Sequence, residues 1–202
     1  MTKIKFSKIE VRDLAKAWIV ISIAFAIVLT QGILGISFLT NLLLSAIAVG
    51  SAFLFHELAH KFVAQKYGCF AEFRSDNKML LLAIILALVL KVIFVAPGAV
   101  MIAGRISKAR NGKISMAGPG TNFALAGIFL ILALIIPNGF WGNVFGFGLF
   151  VNIWIGLFNM IPVWVLDGKK ILNWNKLVYF SMLAVGGGLL ALMQYLSLSP
   201  LF

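Results

Sequence analysis

Long apolar runs constrain this chain before any other feature does. Five stretches, approximately 15–36, 42–66, 114–137, 143–166 and 176–197, are nearly free of charge. Each is long enough to cross the ~30 Å hydrocarbon core as a helix of about 20 residues. The composition agrees: 62% of residues are hydrophobic and 11% charged, with a mean hydropathy of +1.05, where a soluble domain is about 25% charged. These runs predict an all-α polytopic membrane protein, with residues 1–202 forming a single transmembrane domain. The basic start, MTKIKFSKIEVRDLAKAW, leads into an apolar stretch too long for a signal-peptide core. No small-residue cleavage pattern follows it, so it reads as a retained anchor.

The net charge of +11 would suggest nucleic acid in a soluble protein. Here the seventeen Lys and Arg residues lie in short loops and at segment ends. That placement sets orientation and meets anionic headgroups, so no nucleic-acid partner is expected. The single cysteine, Cys69, excludes an internal disulfide.

Charge also bears on a sixth apolar run, 79–103, which reads MLLLAIILALVLKVIFVAPGAVMIA. With the N-terminus in the cytoplasm, a crossing here would place Arg105, Lys108, Arg110, Lys113, Lys169 and Lys170 outside. A re-entrant excursion instead keeps every basic loop inside. Lys91 interrupts the run, and the part before it would be only ~18 Å long as a helix. After it, VIFVA-PG-AVMIA carries β-branched residues on both sides of a Pro-Gly turn, which predicts a hairpin. The expected architecture is therefore five spanning helices, six if 79–103 crosses, with a re-entrant helix and β-hairpin inserted after the second helix. Non-helical backbone at membrane depth must be covered by protein or line a wet cavity, so a cavity is expected beside this hairpin. A multi-pass protein of the cell membrane with a cytoplasmic N-terminus follows.

Within the second apolar segment lies FLFHELAHKFVA, 53–64, which holds both histidines of the chain, His56 and His60. Residues four apart share one helix face, so the two imidazoles can grip one metal ion. Glu57 lies beside the first as a general base in an HExxH arrangement. The bland reading is a polar patch that bonds helices together. A catalytic zinc takes a third protein ligand, and no third histidine exists. Of the six acids, Glu10 and Asp13 lie in the basic leader, and Glu72 and Asp76 in the charged stretch after the motif. Asp167 is the sole acid beyond Asp76. It ends an apolar segment, and Pro162 should open that helix end and let it bend toward the metal. Its rival role is an interfacial aspartate paired with Lys169 or Lys170.

At these residues the chain resembles the site-2 protease family of intramembrane zinc metalloproteases. HELAH matches its zinc-binding motif. NMIPVWVLDG, 159–168, resembles N-x-x-P-x-x-x-x-D-G, and GPGTN, 118–122, resembles a G-x-x-x-N element. The order matches too, and the likeness covers about 42–172, the expected catalytic core. The resemblance implies one zinc per chain, held by His56, His60 and Asp167, with Glu57 as base. It also implies a transmembrane protein substrate cleaved within the bilayer. The hairpin near Val95, Pro97 and Gly98 would correspond to an extended element that pairs with unwound substrate. The chain departs from the pattern in the apolar stretch 70–90, in the absent second proline at VWV (163–165), and in Lys169 after the Asp-Gly pair.

Asn122 and Asn159 could bond the substrate backbone or a transition-state oxyanion; interhelical hydrogen bonding is the rival for each. Two other readings stay open for the whole chain. A metal-binding membrane transporter would explain the ligands but would not need Glu57. A catalytically inactive protease relative could act as a binding partner. Nothing in the sequence predicts an oligomeric state.

Overall fold

A computed structural model describes residues 4–30, 36–93, 97–163 and 166–198. Seven helices and two strands follow one another: α1 (Lys8–Thr30), α2 (Ile36–Lys66), β1 (Phe70–Ser75), α3 (Asn77–Val89), β2 (Gly98–Ala103), α4 (Lys108–Ile135), α5 (Gly139–Asn159), α6 (Asp167–Trp174) and α7 (Lys176–Tyr195). Helices α1, α2, α4, α5 and α7 are long and apolar enough to cross a membrane. The chain is a multi-pass membrane protein, mostly helical as expected.

Helix α1 begins well before the expected span. Ser7 starts it, its hydroxyl accepting the Glu10 N–H at 3.1 Å, the first half of a capping box. The supposed leader is therefore helical, and its acids Glu10 and Asp13 are buried. Helix α2 ends at a tight turn where Gly68 takes a φ of +77° and the Cys69 N–H reaches back to the Ala64 carbonyl at 3.1 Å. A left-handed glycine is a common way to satisfy the last carbonyls of a helix. Small residues let α1 and α2 approach closely: Ala17, Ala48 and Ala52 are fully buried in one cluster. In hydrocarbon, such contact is the main source of helix association.

The run 79–103 does not form one span. Asp76 caps α3 by accepting the N–H groups of Lys78 and Met79 at 2.8 and 3.2 Å. The 13 residues of α3 reach only about 20 Å, short of the ~30 Å core. The expected hairpin about Pro97–Gly98 falls in part on residues 94–96, which lie outside the described residues. Strand β2 pairs antiparallel with β1, from Phe70 opposite Ala103 to Ser75 opposite Gly98. Val92 and Ile93 are not in a strand, and Val95 lies outside the described residues. The reason is burial. Ala71 and Phe73 turn inward from β1, and Phe73 meets Phe53 of α2 edge-on at 5.6 Å, so β1 is the anchored partner. Because β1 follows α2 and β2 precedes α4, their pairing brings the chain back to the end of the bundle it had left.

Helix α5 stops at Asn159, three residues before Pro162, and helix resumes at Asp167. Proline disfavours a helical conformation in the residue before it and lacks an N–H to continue the ladder. The break gives Asp167 a helix start of its own, pointed into the bundle.

Candidate metal centre

The two histidines are buried one turn apart on α2. Their Nε2 atoms are 3.0 Å apart. The Asp167 Oδ2 lies 3.0 Å from His60 Nε2 and 3.5 Å from His56 Nε2. These three groups could hold a metal ion. Ligand atoms ~2.0–2.1 Å from a tetrahedral zinc stand about 3.3 Å from one another, so the spacing fits one ion among the three.

The far sides of both rings are fixed. His56 Nδ1 donates to Asn122 Oδ1 at 2.5 Å, and His60 Nδ1 donates to the Ile114 carbonyl at 2.8 Å. Both partners accept here, so each proton is on Nδ1 and each Nε2 lone pair faces the shared point. The Asn122 amide cannot be flipped, because its Nδ2 donates to the Ala52 carbonyl and to Asn152 Oδ1, both at 3.0 Å. Asn152 in turn donates to the Gly148 carbonyl at 2.8 Å. A buried relay from α5 through α4 thus orients a ring on α2.

Asp167 has two faces. Oδ2 meets the imidazoles, and Oδ1 lies 3.7 Å from Lys170 Nζ. The lysine pairing expected as a rival role therefore coexists with the approach to the histidines. Burial alone would raise the Asp167 pKa, but the neighbouring imidazoles prevail and hold the carboxyl below the usual carboxylate range.

Backbone shape completes the cradle. A Cβ built on Gly118 would fall 2.3 Å from His60 Nε2 and 2.6 Å from His56 Nε2. One on Gly168 would fall 2.0 Å from the Met160 carbonyl oxygen. Helix α4 can lie against the ligand atoms only because position 118 has no side chain. Position 168 must likewise be bare for α6 to tuck beneath the end of α5.

A cavity of about 270 Å³ opens beside the three ligands. Glu57 lines it with Asn159, Lys170, Pro97, Gly98 and Val100. Val100 of β2 faces the same cavity as Glu57. Asn159 donates to the Ile155 carbonyl at 3.0 Å, within its own helix. Asn122 is fully buried behind His56, with its oxygen and its amide engaged as described. Sequence reasoning overlooked Asn152, although a lone asparagine in the apolar run VNIWIG was a signal that could have found it. The Ile114 carbonyl carries no such signal, since every residue has one.

Two imidazoles and a carboxylate around one point, with a glutamate in the same cavity, form the donor set of a metal-dependent hydrolase. Known proteins point the same way. Over 163 residues the chain is 44% identical to a Methanocaldococcus jannaschii protein named "Putative zinc metalloprotease MJ0611", covering 75% of this chain and 84% of that one. It is 32% identical over 149 residues to "Zinc metalloprotease MJ0392" of the same organism, covering 70% of this chain and 38% of that longer protein. No family model matches the chain. No solved structure matches it. The chain belongs to the zinc metalloprotease family of these archaeal proteins.

Proposed function

We propose that this protein is an intramembrane zinc endopeptidase of the site-2 protease type. It binds one zinc per chain and cuts a membrane-protein substrate within or near its transmembrane segment. One observation carries the reading: His56, His60 and Asp167 converge inside a bundle of membrane-crossing helices, in a cavity that Glu57 shares. A protease working on soluble chains has no need to bury its centre among such helices.

The ligands are Nε2 of His56, Nε2 of His60 and the Asp167 carboxylate. Zinc bound there supplies Lewis-acid polarisation of the scissile carbonyl and makes nearby water more acidic. Glu57 takes the proton of the attacking water and delivers it to the leaving amine. Asn122 keeps the His56 ring in the required tautomer. The substrate lies extended along β2, pairing with its backbone beside Pro97 and Gly98. An extended substrate is needed because a helical peptide bond is shielded by its own hydrogen bonds. Asn159 stands at the cavity wall, where its side chain can contact that backbone.

The same topology supports an orientation. The α2 end, both strands, the α4 start, α6 and the α7 start gather at one end of the bundle, with Lys66, Arg74, Lys78, Lys108, Arg110, Lys113, Lys169, Lys170 and Lys176. We assign that end and the N-terminus to the cytoplasmic side of the cell membrane, as the positive-inside rule requires.

The test is cleavage of a single-span peptide by the protein in proteoliposomes, with metal content measured on the same samples. Wild type should hold about one zinc and cut the peptide. Glu57→Gln should hold the zinc and lose ~10²–10⁴ in rate, and Asp167→Ala should lose the zinc. Unchanged cleavage by Glu57→Gln would overturn the mechanism.

A further inference from the structure

The two-stranded sheet has two outer edges, and they differ in kind. On β1, the Phe73 N–H donates to Glu10 Oε1 at 3.0 Å and the Ser75 N–H to Asp13 Oδ2 at 3.3 Å. The Ala71 carbonyl accepts from Gln65 Nε2 at 3.2 Å, and the Phe73 carbonyl from Arg74 Nη1 at 3.3 Å. Side chains thus take at least one outward group on each of the alternate residues 71, 73 and 75. An open strand edge is a template for pairing with another chain, and here α1 and α2 cover it.

Parity then settles β2. In an antiparallel ladder, opposite residues alternate between bonded and non-bonded pairs. Phe73 and Ser75 face away from β2, so their partners Val100 and Gly98 face away from β1. Ile102, opposite Ala71, does the same. The Asp76 N–H bonds the Pro97 carbonyl at 2.9 Å, as this phase requires. The outward edge of β2 runs along the catalytic cavity, which Gly98, Val100, Ile102 and Glu57 all line. Among the described residues no strand lies beyond it.

The cap is also tied to the metal ligands. Lys61, next to His60, forms an ion pair with Glu10, and both are fully buried. Its Nζ sits 3.6 Å from the centre of the Phe6 ring. Ser7 donates to Glu72 and Arg74 pairs with Glu72 at 2.6 Å, binding the start of α1 to β1. One carboxylate, Glu10, therefore joins α1, the turn after His60 and the backbone of β1.

We infer that Glu10 and Asp13 are positioning residues that close the β1 edge, leave β2 as the accepting edge for an extended apolar peptide, and hold that edge in register with His60 and Glu57. The part concerning peptide addition rests on the proteolytic reading above; the edge closure does not. Loosening the cap should let the bound peptide slip. A slip of two residues keeps each side chain on its own face, whereas a slip of one reverses all of them. Cuts displaced by two residues are the expected signature, and a general loss of stability would not produce them.

The experiment compares wild type with Glu10→Ala, Asp13→Ala and the pair Glu10→Gln/Lys61→Met in proteoliposomes. The probe is a leucine–alanine peptide long enough to span the bilayer, with a central Asn-Gly pair to ease unwinding. Amide exchange at Phe73 and Ser75, zinc content and the map of cut positions are read together. Glu10→Ala should retain zinc, raise exchange at Phe73 at least ~10-fold, and add cuts two residues from the wild-type position. Asp13→Ala should do the same at Ser75; it leaves the Glu10–Lys61 pair in place and carries the test if Glu10→Ala does not fold. The paired variant keeps an amide oxygen for the Phe73 N–H and removes both charges, so it should restore wild-type exchange and a single cut. Exchange unchanged in both alanine variants, or raised exchange with an unaltered cut map, would overturn the inference. If wild type itself makes no cut, the proteolytic reading fails, and the exchange data alone uphold or overturn the edge closure.

Discussion

Substitution of Gly118 by alanine should weaken metal binding without unfolding the protein. Its Cβ would stand 2.3 and 2.6 Å from the two Nε2 atoms, whereas non-bonded atoms rest about 3.5–4.0 Å apart. The rings or α4 must therefore retreat by roughly 1 Å. A metal site tolerates about 0.2 Å, and the rings cannot turn freely, because each Nδ1 is anchored to a fixed acceptor. Outer contacts that orient ligands are worth ~10–100-fold in affinity, and a displacement of this size reaches the top of that range. We expect zinc affinity to fall about 100-fold, or some 2.7 kcal/mol. The helix itself should not suffer, since alanine is favoured over glycine in a helix interior by ~1 kcal/mol. Gly127→Ala provides the control: the same helix, the same chemical change, and nothing within 4 Å of the new methyl. The assay is a zinc titration by competition with a chromogenic chelator, with helicity followed by circular dichroism. Gly118→Ala protein that binds zinc like wild type, or one that loses zinc only because it has lost helix, would refute the cradle argument.

Three further outcomes follow from the same geometry. Asn122→Ala should weaken zinc binding ~10–100-fold and cost about 1–3 kcal/mol of stability, because the His56 N–H and the Ala52 carbonyl lose a buried partner; chemical denaturation of the metal-free and zinc-loaded protein separates the two effects. Gly168→Ala should displace the start of α6 and detach Asp167, so it should match Asp167→Ala in zinc content while leaving α2 helical. Acidification should release the metal and return to neutral pH should restore it, since histidine and carboxylate ligands bind only when deprotonated; zinc retention measured by equilibrium dialysis should therefore rise with pH, and a falling curve would contradict the ligand set.

The Glu10–Lys61 pair shows where linear reading falls short. As a sequence, MTKIKFSKIEVRDLAKAW looks like a basic leader whose acids balance charge. In the fold its part from Lys8 onward is the first turns of a spanning helix, and its acids are buried against β1. Nothing local in the chain states that a lysine 51 positions later will neutralise Glu10. The partner that β2 takes among the described residues was hidden for a related reason. VIFVA-PG-AVMIA has the local chemistry of a turn, but a strand pairs where burial holds its partner. FAEFRS holds Ala71 and Phe73 against α2, and its charged residues hid it as a strand.

The segments that could cross a membrane, the histidine pair on one helical turn and the remote aspartate were all legible without coordinates. Apolar length and i, i+4 spacing are properties of neighbouring residues, and an isolated acid is conspicuous in an apolar chain. How close that aspartate comes to the rings, which lone pairs face the common point, and which edge of the sheet stays open depended on contacts between distant segments. Those contacts are set by packing, by a glycine at 118 that admits α4, and by buried hydrogen bonds that each helix can satisfy only through another.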